Sequence, residues 1–128
     1  MTIKQISVFL ENHPGKLAEF AAVLSAQKIN LRAISVAEAA DFGIVRIIVD
    51  DVFNAVTILK SENYVCTITD VLAVEVRDEP GMLANMIGVL GAEGINIEYM
   101  YTILGKKSEV AYMIIRTNAD SEAVKILE

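Results

Sequence analysis

"ENHPGKLAEFAAVLSAQKIN", residues 11–30, passes from strand-like alternation to helical spacing at a Pro-Gly pair, and "RDEPGMLANMIGVLGAEGIN", residues 77–96, does the same. One ungapped shift of 66 positions, from Gly15 to Gly81, superimposes the two. Under it Pro14, Gly15, Leu17, Ala18, Val23, Leu24, Ala26, Ile29 and Asn30 all meet identical residues. The alternating apolar Ile6, Val8 and Leu10 fall on Leu72, Val74 and Val76, so the strand faces match as well. Further on, Ala55-Val56 and Ile58-Leu59 meet Ala123-Val124 and Ile126-Leu127 at a shift of 68. The chain is therefore a duplication, with a small insertion expected in the turn "ILGKKSE" (103–109).

Each repeat reads as strand, helix, strand, strand, helix, because period-2 and period-3.6 patterns take turns along it. Leu17, Phe20, Ala21 and Leu24 form one apolar helical stripe that must face a sheet. Pro14 suits a first helical position, where its missing N–H would have had no intrahelical partner, so the helix is expected to begin there. "NLRAISVAE" (30–38) and "GIVRIIV" (43–49) are β-branched runs flanking Asp41 and Gly43, which predicts a hairpin. Asp50 and Asp51 offer capping oxygens to a second helix whose buried stripe is Val52, Ala55, Val56 and Leu59. "YVCTIT" (64–69) closes the first repeat as a fourth strand. The expected fold is α+β and ferredoxin-like: two tandem βαββαβ units, each an antiparallel sheet with its helices on one face.

The expected domains are 1–70 and 71–128. The second lacks a counterpart of the last strand, since the sequence stops in the helix that matches "NAVTILK". That absence predicts an unpaired sheet edge, which invites another chain or a further C-terminal segment. "VCTITDVLAVEV" (65–76) has no Gly or Pro, so the link between repeats is expected to be short and stiff.

Composition narrows the function. At 54% hydrophobic and 22% charged residues the chain can pack a core. A net charge of −6 opposes nucleic-acid phosphates and anionic membranes alike. The hairpin run "GIVRIIV" is aliphatic where an RNA-binding sheet needs stacking aromatics. No apolar run reaches membrane-spanning length and the N-terminus lacks the marks of a signal peptide, so a cytoplasmic protein is expected. With one Cys and one His, no metal site is expected and no cofactor is implied. Asp41-Phe42-Gly43 stands without a phosphate loop or a catalytic loop and reads as a turn. Gly88, Gly91 and Gly94 lie at a helix C-terminal end, whereas a phosphate loop must open a helix. No nucleophile-base pair or matched acid-base carboxylates emerge, so no catalytic residue is assigned and the chain is expected not to be an enzyme.

Pro-Gly-x-Leu followed by Ile-Asn at fixed spacing, twice, within βαββαβ order, resembles the ACT domain in tandem. The resemblance covers nearly the whole chain and is similar to small stand-alone proteins made of two ACT domains. It implies a regulatory, non-catalytic module that binds a free amino acid or similar small ligand, usually between paired ACT units. It further implies a homodimer or higher homo-oligomer and a partner metabolic enzyme. An alternative is an oligomerisation or interaction scaffold for such an enzyme, with no ligand site retained.

An amino acid presents a carboxylate close to an ammonium, so its receptor needs clustered donors beside clustered acceptors. The N–H groups of Gly15, Lys16 and Leu17 at a helix start would supply donors, and a glycine lets a ligand approach the backbone. By resemblance the ligand contacts are Asn12, His13, Pro14, Gly15, Lys16, Leu17, Asn30 and Leu31, with Asn30 expected to return beside the loop. Their counterparts are Asp78, Glu79, Pro80, Gly81, Met82, Leu83, Asn96 and Ile97. The acidic pair Asp78-Glu79 attracts an ammonium and repels a carboxylate, so the two sites need not be equivalent. Each residue has a plainer reading. Pro-Gly is ordinary turn punctuation, His13 suits an exposed loop, and Asn30 and Asn96 suit backbone capping. Tyr99, Tyr101 and Tyr112 suit strand packing, and the methionines suit core filling.

Overall fold

The computed structural model describes residues 1–39, 41–77, 79–103 and 110–127. The turn 103–109 beyond Ile103, together with Ala40 and Asp78, lies outside the described residues. The chain divides into two compact units, one of Lys4–Thr69 and one of Met1–Ile3 with Asp70–Glu128.

In the first unit β1 (Thr2–Glu11) leads to α1 (Lys16–Ala26), β2 (Leu31–Ala39), β3 (Phe42–Val49), α2 (Val52–Ser61) and the start of β4 (Val65–Arg77). The strand order is β2-β3-β1-β4, and β3 runs antiparallel to both β1 and β2. Alternation along β1 sends Ile6, Val8 and Leu10 into a core with Phe20 and Leu24 of α1 and Ala55 and Leu59 of α2. Leu17 and Ala21, assigned to the apolar stripe by spacing, are instead exposed, and Val23 packs partly against the core. The helix face in contact is thus narrower than the periodicity implies. Asp51 caps α2 as anticipated, its Oδ1 accepting from the Asn54 N–H at 3.1 Å.

The second unit takes Asp70–Arg77 of β4 as its first strand, then α3 (Met82–Ala92), β5 (Ile97–Thr102), β6 (Val110–Thr117) and α4 (Asp120–Leu127). Its order is β5-β6-β4, antiparallel throughout. Leu72, Val76, Met86, Leu90, Ile115 and Ala123 make its core. The edge expected to stand unpaired is partly occupied, because the Ala73 N–H donates to the Met1 C=O at 2.8 Å. The first residues of the chain serve where a final strand would lie. Strand β4 runs without a break from Val65 to Arg77, so its opening half closes one unit and its remainder begins the other.

Pro14 does not open α1. Gly15 stands before the helix with φ +88°, a left-handed conformation incompatible with a helical turn, and the helix starts at Lys16. Gly81 repeats this at φ +88° before α3. The helix ends also correspond. The Ile29 N–H reaches the Leu24 C=O and the Lys28 N–H the Ser25 C=O, a Schellman closure, and Ile95 and Gly94 repeat it on Leu90 and Gly91. Lys28 holds φ +57° where its counterpart Gly94 holds +74°. A Lys28→Gly variant is therefore expected to gain about 0.5–1 kcal/mol, left-handed strain relieved exceeding the added chain entropy. A raised urea midpoint would show it; a lowered one would assign Lys28 another role.

Candidate functional site

The β1–α1 loop is built from backbone. The Asn12 N–H donates to the Asp41 C=O at 3.0 Å, tying the loop to the β2–β3 turn. The His13 N–H donates to the Glu11 C=O at 2.9 Å, and the Lys16 N–H to the His13 C=O at 3.2 Å. That last bond corrects one expectation, since Lys16 does not offer a free amide. No side chain caps the helix; the Glu19 N–H donates to the Gly15 C=O at 3.0 Å, which leaves the Leu17 and Ala18 amides of the first turn without an intrahelical acceptor at the positive end of the helix dipole. Gly15 has open space where a side chain would be, with nothing within 4 Å of a Cβ built there. Pro14 and Leu17 are exposed, and His13 lies 3.5 Å from Glu11 through Nε2 and Oε2.

The β4–α3 loop repeats two of these bonds. The Glu79 N–H donates to the Arg77 C=O at 2.8 Å, and the Met82 N–H to the Glu79 C=O at 3.2 Å. Gly81 is as open as Gly15. The side chains differ: Glu79 lies 3.9 Å from Arg77, Met82 packs partly onto the second core, and Pro80 and Leu83 are exposed. Asp78 is outside the described residues.

Asn30 does not return beside Gly15. Since β1 and β2 are both antiparallel to β3, they are parallel to each other, and α1 carries the chain back to the far end of the sheet before β2 begins. Glu11 sits opposite Phe42 and Leu31 opposite Val49, seven residues along β3. That separates Asn30 from the loop by roughly 23 Å at strand rise. Asn96 is displaced likewise, for Arg77 pairs with Val110 and Ile97 with Thr117. Leu31 and Ile97 pack partly against the two cores. At Asn96 the backbone is tied to Asn118, whose Oδ1 accepts the Asn96 N–H at 3.0 Å and whose own N–H donates to the Asn96 C=O at 3.1 Å.

Sequence reasoning did not assign the cleft beside the first loop. It encloses about 470 Å³ and is lined by Lys16 and Glu19 of α1, Phe9 of β1, Phe42 of β3, and Glu62 and Tyr64 between α2 and β4. Lys16 Nζ is 3.7 Å from Glu19 Oε2. Tyr64 leans edge-on against Phe20 at 5.6 Å between centroids. Burial pushes the Tyr64 hydroxyl pKa up, the carboxylates of Glu19 and Glu62 push it further the same way, and Lys16 opposes them. The signal that could have found the cleft is the strand order: placing β4 beside β1 brings the residues after α2 to the start of α1. The second unit has a shallower counterpart of about 390 Å³ with Met82 and Asn85 at the positions of Lys16 and Glu19. Tyr99 and Tyr101 stack on each other at 6.4 Å instead of lining either cleft. Cys66 is half-buried against the first core, and burial raises its thiol pKa, with Lys60 opposing.

Among the described residues no helix is long and apolar enough to cross a membrane. A protein of solved structure from Bacteroides thetaiotaomicron is 42% identical, over 99% of this chain and 87% of its own, with a TM-score of 0.89. The ligand-free regulatory subunit of aspartate kinase from Thermus thermophilus is 17% identical over 99% of this chain and 93% of its own, with a TM-score of 0.70. The corresponding subunit from Thermus flavus is 17% identical over the same shares, with a TM-score of 0.67. These two show a shared fold. No curated protein matches. A family described as the ACT domain pair matches residues 1–128, and with its twice-used Pro-Gly loop the chain belongs to that family.

Proposed function

We propose that the protein is a non-catalytic regulatory module that binds a free amino acid at the β1–α1 loop of its first unit. The observation that carries this reading is the uncapped start of α1 behind Gly15, open to an approaching anion and adjoining a cleft of small-molecule size. The ligand carboxylate meets the helix start and Lys16; its ammonium meets the carboxylates around them. Asn12, His13 and Leu17 border this position. Asn30 and Leu31, at the far end of the strands, take part only where another copy of the chain brings that end to the loop. The ligand-bound species is accordingly a homo-oligomer, and binding shifts the population of paired states through its differential affinity for them. The cytoplasm suits the reduced thiol of Cys66.

Calorimetric titration of the full chain against the twenty amino acids tests the reading. Saturable binding of one or two, weakened by Asn12→Ala and accompanied by a change in light-scattering mass, is expected. Binding without any change in mass would remove the switching part and leave the site.

A second reading, a scaffold that seats a partner metabolic enzyme, is favoured for the second unit by one observation. Its helix α3 exposes Leu83, Ile87 and Val89 by more than a third each. Silence across the whole panel from a folded protein would shift the assignment to that reading.

A further inference from the structure

We propose that two copies of the chain pair through strand β2 of their first units, antiparallel about a two-fold axis at Ser35. This pairing gives the homo-oligomer proposed above its surface, and it stands or falls without a ligand. Strand β2 ends the sheet order and is hydrogen-bonded to β3 alone among the described residues, so its other side offers backbone donors and acceptors to a further strand. Its register sets Ile34 opposite Ile47 and Val36 opposite Val45, both core residues, so Ile34 and Val36 share the face that carries the helices. Yet Ile34 is 39% and Val36 55% exposed. Lys16 and Glu19 turn toward the cleft beside Tyr64, so Leu17 and Ala21, on the opposite flank of α1, turn toward β2. Both are exposed as well. Helix and strand thus present an uncharged, largely aliphatic surface beside an open sheet edge, and a partner strand would cover the two together.

The sequence of the strand selects a second copy as the occupant. "RAISVAE" (32–38) is chemically symmetric about Ser35: Ile34 answers Val36, Ala33 answers Ala37, and Arg32 answers Glu38. In the two-fold register each residue meets its complement from the other copy, so aliphatic positions face aliphatic ones and a cationic position faces an anionic one at each rim. Sliding one strand by two residues sets Arg32 opposite Val36, or Ile34 opposite Glu38, and both matches are lost. Exposed rim charges contribute little affinity, but they decide register. A bulge between Leu31 and Ala33 leaves Arg32 at the end of the regular ladder, 3.9 Å from Asp50. A chain of net charge −6 repels its own copies at long range, and β2, with one cation and one anion, is balanced where they would meet. The second repeat serves as an internal control. Under the 66-residue shift Arg32, Ile34, Val36 and Glu38 become Glu98, Met100, Thr102 and Leu104, and the symmetry is gone. Glu98 lies instead 3.7 Å from Arg116 of its own unit.

Sedimentation velocity of the full chain without added amino acids, at concentrations up to about 100 µM, tests the pairing. The mass is expected to rise with concentration toward twice the 14.0 kDa of one chain. Val36→Lys, at an exposed position, is expected to raise the dimer Kd by at least about tenfold while leaving the urea midpoint of the dilute protein in place. Arg32→Glu and Glu38→Arg are each expected to weaken the dimer by about threefold or more, and the double exchange to restore it. Ser35→Cys in a Cys66→Ser background is expected to yield a disulfide-linked dimer under mild oxidation, because residues facing each other on the axis of an antiparallel pair stand about 4.5–5.5 Å apart at Cα. A mass that stays at one chain throughout overturns the proposal. A dimer that Val36→Lys leaves intact overturns it as well, and moves the contact to another face, such as Leu83 and Ile87 of α3. A double exchange that fails to restore affinity, or no cross-link through Ser35→Cys, overturns the two-fold register. Calorimetric silence from a chain that dimerises in this way removes the binding role and leaves the pairing; amino-acid binding by a chain that stays monomeric does the reverse.

Discussion

Replacing Phe20 with alanine is expected to destabilise the protein by about 3–5 kcal/mol, a loss typical of a large side chain removed from a close-packed interior. Phe20 is fully buried among Ile6, Val8, Ile47 and Leu59, and its ring meets that of Tyr64 edge-on. Urea unfolding followed by far-UV circular dichroism reads the change. A loss below about 1 kcal/mol would mean that the core closes over the cavity and is not close-packed around Phe20. Met86 occupies the matching place in the second unit, 7% exposed. Met86→Ala is expected to cost about 2–5 kcal/mol, toward the lower end because methionine packs adaptably. The Phe20 variant should also weaken ligand binding, since Tyr64 loses the ring against which it is set.

The second large effect belongs to Gly15. A Gly15→Val substitution places a β-branched residue at φ +88°, with a conformational cost of about 1–2 kcal/mol. Open space surrounds the position, so the penalty arises from the backbone and not from a collision. The loop either keeps its shape under strain, with two methyl groups over the helix start, or abandons the Lys16–His13 hydrogen bond. Both outcomes remove the surface that a carboxylate would approach. Binding is expected to fall by at least about tenfold, measured by the same calorimetric titration. Gly81→Val carries an equal backbone cost but is expected to leave the first site intact. Equal loss of binding from the two variants would sink the claim that the sites are separate.

The architecture was legible because alternation and helical spacing report burial directly, and the 66-residue shift allowed each repeat to check the other. Where local preference and tertiary demand diverged, the reading slipped. Pro14 favours a first helical position, yet Gly15 beside it takes a left-handed turn that ends that option, and φ is not written in a periodicity. Asn30 follows the helix closely in sequence, but a parallel β2 requires α1 to carry it to the opposite end of the sheet. The edge beside Ala73 is met by Met1, a contact between chain positions too far apart for any local pattern to register. The sequence pattern assigns Tyr64 only to the opening of a strand and gives Glu62 no role. Their place beside Lys16 and Glu19 arises from the strand order and is invisible to a window moving along the chain.

The two Pro-Gly loops repeat one set of backbone hydrogen bonds although their flanking side chains disagree in charge and size. Main-chain hydrogen bonds and a left-handed glycine shape the bend in both copies, while the side chains beside it differ. Selection can therefore rewrite the recognition chemistry of one copy without first solving a folding problem, and the other copy need not follow. Grafting Glu11, Lys16 and Glu19 onto positions 77, 82 and 85 becomes a reasonable engineering route to a second specificity on an unchanged scaffold.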